Sequence, residues 1–236
     1  VWANIYAFMV INELQKIGHS SELVNITKLA KFLKKSRPHQ NTLKRGEYRV
    51  NPDTSAFLAF VLSEYSTPQY ALEEELLTQL DKLNLTAKLL LSASMAGKID
   101  QPSQGARMEQ AKQVFAEAMK SFRFDGERLQ LDQDKSWAWW SFDSERRKLA
   151  LALIAILRVD PKNDLVLPLL RTLTQKIEGQ QRLNTQATAF VLLAIRDYIK
   201  VKESTPPNMH VDVQMLTLSQ GQRVKQVLST HDIKGI

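Results

Sequence analysis

The sequence predicts an all-α protein whose helices form an inner and an outer layer. The segment from Thr185 to Tyr198 begins with polar capping residues and is then apolar on nearly every side. The segment from Asp143 to Leu157 repeats this pattern earlier in the chain. A helix that is apolar all round is expected to be buried on both faces. Because each of these helices has a more amphipathic partner, we expect concentric layers rather than a single bundle.

Apolar residues recur at helical spacing along most of the chain. Ser20 or Ser21 is expected to cap the second helix, and Gly18 and Gly179 are expected to end helices. Short connections predict that successive helices lie side by side. The expected helices are residues 2–17, 20–33, 53–67, 70–83, 85–96, 102–122, 143–157, 165–177 and 185–204.

The period of the apolar pattern changes at two places. Apolar residues alternate on both sides of Asp125 and Gly126, which predicts a short β-hairpin inserted between helices. The segment Thr205-Pro-Pro prevents the last helix from continuing, and the alternation after it is typical of strands. The predicted domains are residues 1–204, which are helical, and residues 205–236, the start of a following β-domain.

Composition excludes several kinds of site. The chain has no cysteine, which excludes thiol nucleophiles, disulfides and thiolate metal ligands within it. The longest strongly apolar run, Leu149 to Leu157, is far shorter than the roughly 20 residues that a membrane-spanning helix needs. The net charge is +7, and the basic stretch from Lys31 to Arg49 is interpreted as a solvated loop, not a nucleic-acid site. The four histidines lack metal-ligand spacing, so we predict no metal or other cofactor.

Four segments, taken in order, resemble the thioester-domain region of the bacterial alpha-2-macroglobulin family. The resemblance covers about residues 1–204, and Lys148 stands where the family usually has aspartate. Tyr6-Ala-Phe with Leu14 and Gly18 resembles "YA-x-F-L…G"; Ala56 to Leu62 resembles "AYALYVL"; Ser144-x-x-Arg147 with Leu149 to Ala152 is similar to "S-x-x-R-D-x-A-L-A"; Thr185-Gln186 with Ala189 and Leu192 to Ala194 is similar to "TQ-x-x-A-x-x-LLA".

The resemblance implies an α/α-toroid that lacks its N-terminal helices, as in terpene cyclases and complement domains. It implies a broad-spectrum protease inhibitor, not an enzyme, in which cleavage of a bait region elsewhere releases this domain. The inhibitor would entrap the attacker, either by steric entrapment alone or with covalent capture through a thioester located upstream of this chain. The implied partners are target proteases and other domains of the same chain. The implied location is the periplasm, within a lipoprotein anchored to the inner membrane.

The candidate site residues are interpreted as structural, and no catalytic residue is assigned. Ser144, Arg147, Thr185 and Gln186 are the family-motif residues. Arg147 and Gln186 are expected to be buried hydrogen-bonding residues that fix helix ends. The Gln186 amide is expected to form hydrogen bonds with an adjacent inter-helix loop. His39 is a weaker candidate, since it lies near the place where complement relatives have an acyl-transfer histidine.

Two other function classes remain open. An α/α-barrel enzyme, glycosidase or terpene cyclase-like, would need carboxylates in its central cavity, whereas Asp132 and Asp134 lie near the predicted hairpin. A structural helical scaffold in a large envelope protein would show a fixed repeat.

Three further expectations concern the packing of the helices. Trp2, Ile5 and Phe8 form an exposed apolar edge; the helices of Ala56, Leu149 and Ala189 belong to the inner layer; and Trp137 to Trp140 wedge the hairpin against the helices.

Overall fold

The computed structural model describes residues 2–19, 24–36, 52–126, 128–132, 144–178 and 185–202, and the backbone of residues 209–219 and 222–233. The chain divides into two compact units, Val1–Asp197 and Tyr198–Ile236. The helices are α1 (Trp2–Lys16), α2 (Ile26–Lys35), α3 (Pro52–Tyr65), α4 (Tyr70–Leu77), α5 (Leu85–Ala96), α6 (Ala106–Met119), α7 (Glu145–Val159), α8 (Val166–Glu178) and α9 (Thr185–Lys202). The strands are β1 (Gly97–Lys98), β2 (Gln101–Pro102), β3 (Phe122–Phe124), β4 (Leu129–Leu131), β5 (Met209–Ser219) and β6 (Gln222–Ile233).

Polar side chains cap several helices at their first turn. The Ser144 hydroxyl accepts the backbone N–H of Arg147 at 3.2 Å and so begins α7. In α2 the cap is Asn25, whose side chain accepts the N–H of Lys28 at 2.9 Å. The prediction that Ser20 or Ser21 caps this helix is therefore wrong. An asparagine cap satisfies a free N–H of the first turn as well as a serine does, so the two were not distinguishable by residue type.

The helices α1, α3, α5, α7 and α9 run in the same direction. The rings of Trp2 and Phe57 lie 5.8 Å apart and join the N-terminal ends of α1 and α3. An ion pair of 3.4 Å between Lys16 and Glu64 joins the C-terminal ends of the same two helices. At the N-terminal ends, Asn84 before α5 donates a hydrogen bond to Asp53 of α3, and Arg147 of α7 contacts Phe190 of α9. At the C-terminal ends, Arg158 of α7 contacts the Gly97 carbonyl after α5 and Asp197 of α9. These five helices form the inner layer, as expected for the helices of Ala56, Leu149 and Ala189.

The helices α6 and α8 lie antiparallel to the inner helices that precede them. Lys88 near the start of α5 pairs with Glu117 near the end of α6 at 3.8 Å. Glu145 at the start of α7 pairs with Lys176 near the end of α8 at 3.0 Å. Inner helices that alternate along the chain with outer partners form an α/α-toroid arrangement. The predicted all-α fold class is confirmed.

Burial distinguishes the middle of the inner layer from its margin. In α7, 13 of 15 residues are buried, as the apolar pattern predicts. In α9 the buried residues follow a single stripe, and Leu192 is 62% exposed. The prediction that α9 is buried on both faces is therefore wrong. Phe190 and Asp197 of this stripe contact α3 and α7, whereas the contact of α9 with α1 is made by Arg196 outside the stripe.

The expected apolar edge at the start of α1 is also wrong. Ile5 and Phe8 are fully buried, because α1 packs on both α2 and α3. Trp2 is half-buried and stacks on Tyr6, with 5.6 Å between ring centroids. Exposed apolar side chains of this region lie instead at the opposite end of the helix, where Ile17 follows α1.

The small strands occur where the helical pattern breaks. The predicted hairpin is present as β3 and β4, with Phe122 opposite Leu131. It is attached to α8 by a hydrogen bond from the N–H of Leu129 to the Thr172 hydroxyl at 3.1 Å. A second hairpin, β1–β2, was not predicted. Its second strand includes Pro102, so α6 begins at Ala106, later than the sequence indicated. Trp137 to Trp140 lie outside the described residues.

The second unit contains the antiparallel pair β5–β6. The register runs from Met209 opposite Ile233 to Ser219 opposite Gln222, with an irregularity between Val213 and Gln214. The predicted β character of the C-terminal tail is confirmed. That residues 205–236 begin a following β-domain stays a prediction. Among the described helices, none has the length and apolarity needed to cross a membrane.

Candidate functional site

Two of the motifs meet at the N-terminal ends of α7 and α9. Arg147 is 1% exposed and is among the largest fully buried side chains of the chain. Its guanidinium carbon lies 4.9 Å from the ring centroid of Phe190, one turn after Gln186. An aromatic face attracts a cation most strongly where water is excluded. The structural role of Arg147 stays a prediction, and Ser144 caps the turn that carries this residue.

The two residues of the Thr185-Gln186 motif have different environments. Thr185 is exposed at the first position of α9. Gln186 is 8% exposed, and its Oε1 atom has no hydrogen-bond partner among the described residues. The expected hydrogen bond to an inter-helix loop stays a prediction, because residues 179–184 lie outside the described part of the chain.

A series of aromatic contacts surrounds the buried guanidinium. Phe190 lies 6.0 Å from Phe57 between ring centroids, and Phe57 contacts Trp2 in turn. Burial raises the pKa of the Tyr6 phenol above its usual value, although the nearby positive charge of Arg147 acts in the opposite direction. Tyr6 is therefore neutral at ordinary pH. Of the motif residues, Arg147 is packed as a buried cation against the ring of Phe190.

A second polar cluster lies at the opposite ends of the same inner helices. We call it the C-terminal charge cluster. It contains three cations and three anions, so its formal charges balance. Each of the five inner helices contributes to it near its C-terminus. Its members are Glu13 and Lys16 of α1, Glu64 and Tyr65 of α3, the Gly97 carbonyl that follows α5, Arg158 of α7, and Arg196 and Asp197 of α9.

Arg158 is the centre of this cluster. Its side chain is 2% exposed, and its Nη2 atom lies 3.0 Å from Glu64 Oε2 and 3.5 Å from Asp197 Oδ2. Its Nη1 atom donates to the Gly97 carbonyl at 3.3 Å, and its guanidinium carbon lies 5.0 Å from the ring centroid of Phe60. One side chain therefore joins α3, α5, α7 and α9.

Arg196 joins α9 to α1 at the edge of the cluster. Its Nη1 atom lies 2.7 Å from Glu13 Oε2, and Glu13 also accepts a hydrogen bond from the Tyr65 hydroxyl. Burial by itself would raise the pKa of Glu13, but bonds from Tyr65, Arg196 and Lys16 hold it below its usual value. Burial likewise opposes ionisation of Glu64, yet the charges of Arg158, Lys16 and Arg196 lower its pKa. Both glutamates are therefore ionised in the folded protein at neutral pH.

Sequence reasoning missed this cluster, although a signal for it is present. Glu64, Arg158 and Asp197 each interrupt an apolar helix near its C-terminus. Parallel helices gather such residues at one end of the layer, where opposite charges can pair. Charged side chains of both signs at equivalent positions of successive apolar helices would have predicted it.

A cavity of about 350 Å³ lies next to the cluster, between the end of α3, the start of α4 and the β1–β2 hairpin. Glu73 is fully buried beside it, where it forms an ion pair with Arg107 and accepts a hydrogen bond from the Ser94 hydroxyl. The guanidinium carbon of Arg107 lies 4.2 Å from the ring centroid of Tyr70. The lining residues are Ser63, Ser66, Pro68, Tyr70, Ser94, Gly97, Lys98, Gln101, Pro102, Ser103 and Arg107.

The remaining sequence candidates are placed as follows. His39 and Asp134 lie outside the described residues, so the structure does not test them. Asp132 is partly exposed and pairs with Arg123 at 2.6 Å. Within the described ranges no three histidine or carboxylate side chains are grouped as metal ligands would be.

One solved structure is similar to this chain. It is described as Escherichia coli alpha-2-macroglobulin activated by porcine elastase, and it matches with a TM-score of 0.57 and 17% sequence identity. The match covers 98% of this chain and 19% of that chain. No protein-family model and no curated protein matches the sequence. At this identity the likeness shows a shared fold. The resemblance suggested by the four motifs is confirmed at that level.

Proposed function

We propose that this chain is a segment of a bacterial alpha-2-macroglobulin-like inhibitor that entraps attacking proteases. The observation that carries the proposal is the fold likeness over 98% of the chain to an alpha-2-macroglobulin activated by elastase. The four motifs support it, since they occur in the order found in that family. Because the chain spans 19% of the matched protein's length, the trapping activity belongs to a longer protein that contains this segment.

In this proposal the segment has a structural and non-enzymatic role. The aromatic contacts around Arg147 and the C-terminal charge cluster hold the inner helices together at both ends. Such a helical body moves as a unit when a segment elsewhere is cleaved. The protein would act in the periplasm as part of a lipoprotein anchored to the inner membrane.

Covalent capture would require a thioester upstream, because this chain has no cysteine. An amine of the protease would attack the thioester carbonyl carbon. The carbon–sulfur bond would break, an amide would form, and the thiolate would take up the released proton. A thioester that is held dry and then exposed reacts only after release, which suits a trap triggered by cleavage.

The test uses the full-length protein that contains this chain, incubated with elastase. Steric entrapment discriminates substrates by size, so cleavage of a large protein substrate should be lost while hydrolysis of a short peptide ester persists. Loss of both activities would show that the protease active site is blocked instead. Retention of both would refute the proposal. A protease adduct that survives denaturing electrophoresis, and that pre-treatment with methylamine abolishes, would establish the covalent step.

The non-enzymatic role has its own test. The 236-residue chain should show no turnover of aryl glycosides or isoprenoid diphosphates under conditions in which it is folded. Sustained turnover that co-purifies with the chain would favour the α/α-barrel enzyme class in its place.

A further inference from the structure

The cavity beside Glu73 has the size and shape of a binding site that neither the motifs nor the proposed inhibitor role uses. Its volume of about 350 Å³ is at the lower end of the range of small-molecule sites, roughly 300–1,000 Å³. It lies between elements of the helical unit, and its lining is mostly polar. A polar cavity of this size can hold a small ligand that satisfies several hydrogen-bonding groups at once.

The charges around the cavity leave an excess of positive charge. The carboxylate of Glu73 is compensated by Arg107, which contacts it directly. Lys98 also lines the cavity, and no described carboxylate pairs with it. In addition α4 begins at Tyr70 and α6 at Ala106 beside the cavity, and helix N-termini carry partial positive charge. The wall therefore favours a ligand with negative charge.

The hydroxyl groups of the wall divide into two kinds. Those of Ser63 and Ser94 already donate, to the Phe60 carbonyl at 2.8 Å and to Glu73 respectively. For the hydroxyls of Ser66 and Ser103 no bond is described, so they can donate to a ligand. The wall thus offers free hydroxyl donors, which suit a ligand with acceptor oxygens.

The wall is held in place before any ligand binds. A Cβ atom built on Gly97 would lie 2.8 Å from the Gln101 carbonyl oxygen, so β1 and β2 approach each other closely at this point. The Gly97 carbonyl also accepts the bond from the buried Arg158. Ordering of the wall therefore adds little to the free-energy cost of binding.

We propose that this cavity binds a small oxyanion, a carboxylate or a phosphate. Lys98 supplies the ionic contact, and Ser66, Ser103 and Gln101 donate hydrogen bonds to the ligand oxygens. Arg107 positions the wall through Glu73 and Tyr70, so its replacement would disturb folding as well as binding. Lys98 is the better position for a test, because no described ion pair depends on it.

The experiment titrates the 236-residue chain with sodium acetate and with sodium phosphate, against sodium chloride at equal ionic strength. Backbone amide shifts of Lys98, Gln101 and Ser103 are followed by NMR. At least one oxyanion should give saturable shifts at these amides, and the tighter of the two identifies the class. Lys98→Gln should weaken binding about tenfold, the effect of losing a charge-assisted contact. Lys82→Gln, at an exposed lysine away from the cavity, should not change it.

Either of two results would overturn the proposal. One is a response that never saturates and equals that to chloride. The other is binding that Lys98→Gln leaves unchanged in a protein whose remaining amide spectrum is native. Because trapping of proteases is not measured, failure here does not bear on the proposed inhibitor role.

Discussion

A buried cation such as Arg158 is stable only while its partners remain in place. Removing a carboxylate or guanidinium from water costs several kcal/mol, and pairing offsets that cost only when geometry and hydrogen bonding are good. Arg158 meets this condition in part, through Glu64 and the Gly97 carbonyl, whereas its Nε atom and Asp197 Oδ2 have no hydrogen-bond partner among the described residues. Its side chain therefore specifies how four helices meet, which an apolar residue of similar volume would do less exactly.

We expect Arg158→Ala to lower the free energy of unfolding by roughly 3–5 kcal/mol, because Glu64 and Asp197 lose their most deeply buried cation. The cations that remain, Arg196 and Lys16, lie at the more exposed edge of the cluster. Urea unfolding followed by circular dichroism measures this change. Arg123→Ala is the matched control, since Arg123 pairs with Asp132 but its side chain is 78% exposed. The control should cost no more than about 1 kcal/mol. Equal losses in the two variants would show that the burial of Arg158 has no special role.

The sequence predicted individual residues best where a local rule applies. Ser144 and Arg147 were recognisable because both belong to a motif at the polar start of an apolar helix. Glu64 and Arg158 were not recognised, since their roles depend on each other across 94 residues of chain. Glu73 was missed for the same reason. Its partners Ser94 and Arg107 lie on other helices.

At the scale of elements, composition alone misjudged the burial of α9. The helix is apolar on nearly every side, yet its buried residues follow one stripe. We expect Phe190→Ala to lower the free energy of unfolding by about 3–5 kcal/mol, since it opens a cavity next to Phe57 and Arg147. Leu192→Ala on the opposite side should change it by no more than about 0.5 kcal/mol. A large loss at Leu192 would indicate that this face is covered in solution.

The β1–β2 hairpin tests how much a close backbone approach contributes to stability. Gly97 has φ of +83°, and an added Cβ atom would meet the Gln101 carbonyl oxygen. Gly97→Ala should therefore lower the free energy of unfolding by roughly 2–3 kcal/mol, through both the strained conformation and the contact. Gly105 also has positive φ, +58°, but its added Cβ atom would have open space. Gly105→Ala should cost only about 1–2 kcal/mol, since only the strained conformation contributes. Thermal unfolding of the two variants separates the contact from the strain, and equal losses would show that the contact contributes nothing.

For the helical unit, periodicity and capping predicted the order and number of the described helices, and the pairing of apolar with amphipathic helices predicted their layered arrangement. Starts and ends were less accurate, as at α2, α4 and α6, because several residues near each end can cap or break a helix. The parallel direction of the inner helices follows from alternation with outer partners. The C-terminal charge cluster depends on this parallel arrangement, so the pattern of a single helix does not reveal the cluster.

The C-terminal charge cluster makes the stability of the folded chain depend on pH. The pKa values of Glu13 and Glu64 are lowered in the folded state, so the unfolded chain binds protons more readily. The free energy of unfolding should therefore fall as the pH drops through the usual glutamate pKa of about 4.3, and the loss is complete below the folded-state values. Tyr65 shows the opposite shift. Burial and Glu13 raise its pKa, so its contribution is lost as the pH rises above about 10.

The measurement is the midpoint of urea unfolding between pH 3 and pH 7, to be made on the wild-type chain and on a Glu13→Gln, Glu64→Gln double variant. The wild type should lose stability steadily on acidification. The double variant should be less stable at pH 7, because its cations lose their partners, but its stability should depend less on pH between about 5 and 3, since the two shifted carboxylates are gone. Tyr65→Phe should reduce the acid dependence in part, because the Tyr65 hydroxyl helps to lower the Glu13 pKa. In urea unfolding extended above about pH 10, the same variant should also lose part of the alkaline dependence. If the double variant instead shows the full acid dependence of the wild type, the charge cluster does not couple the inner helices to pH, and carboxylates elsewhere in the chain are responsible.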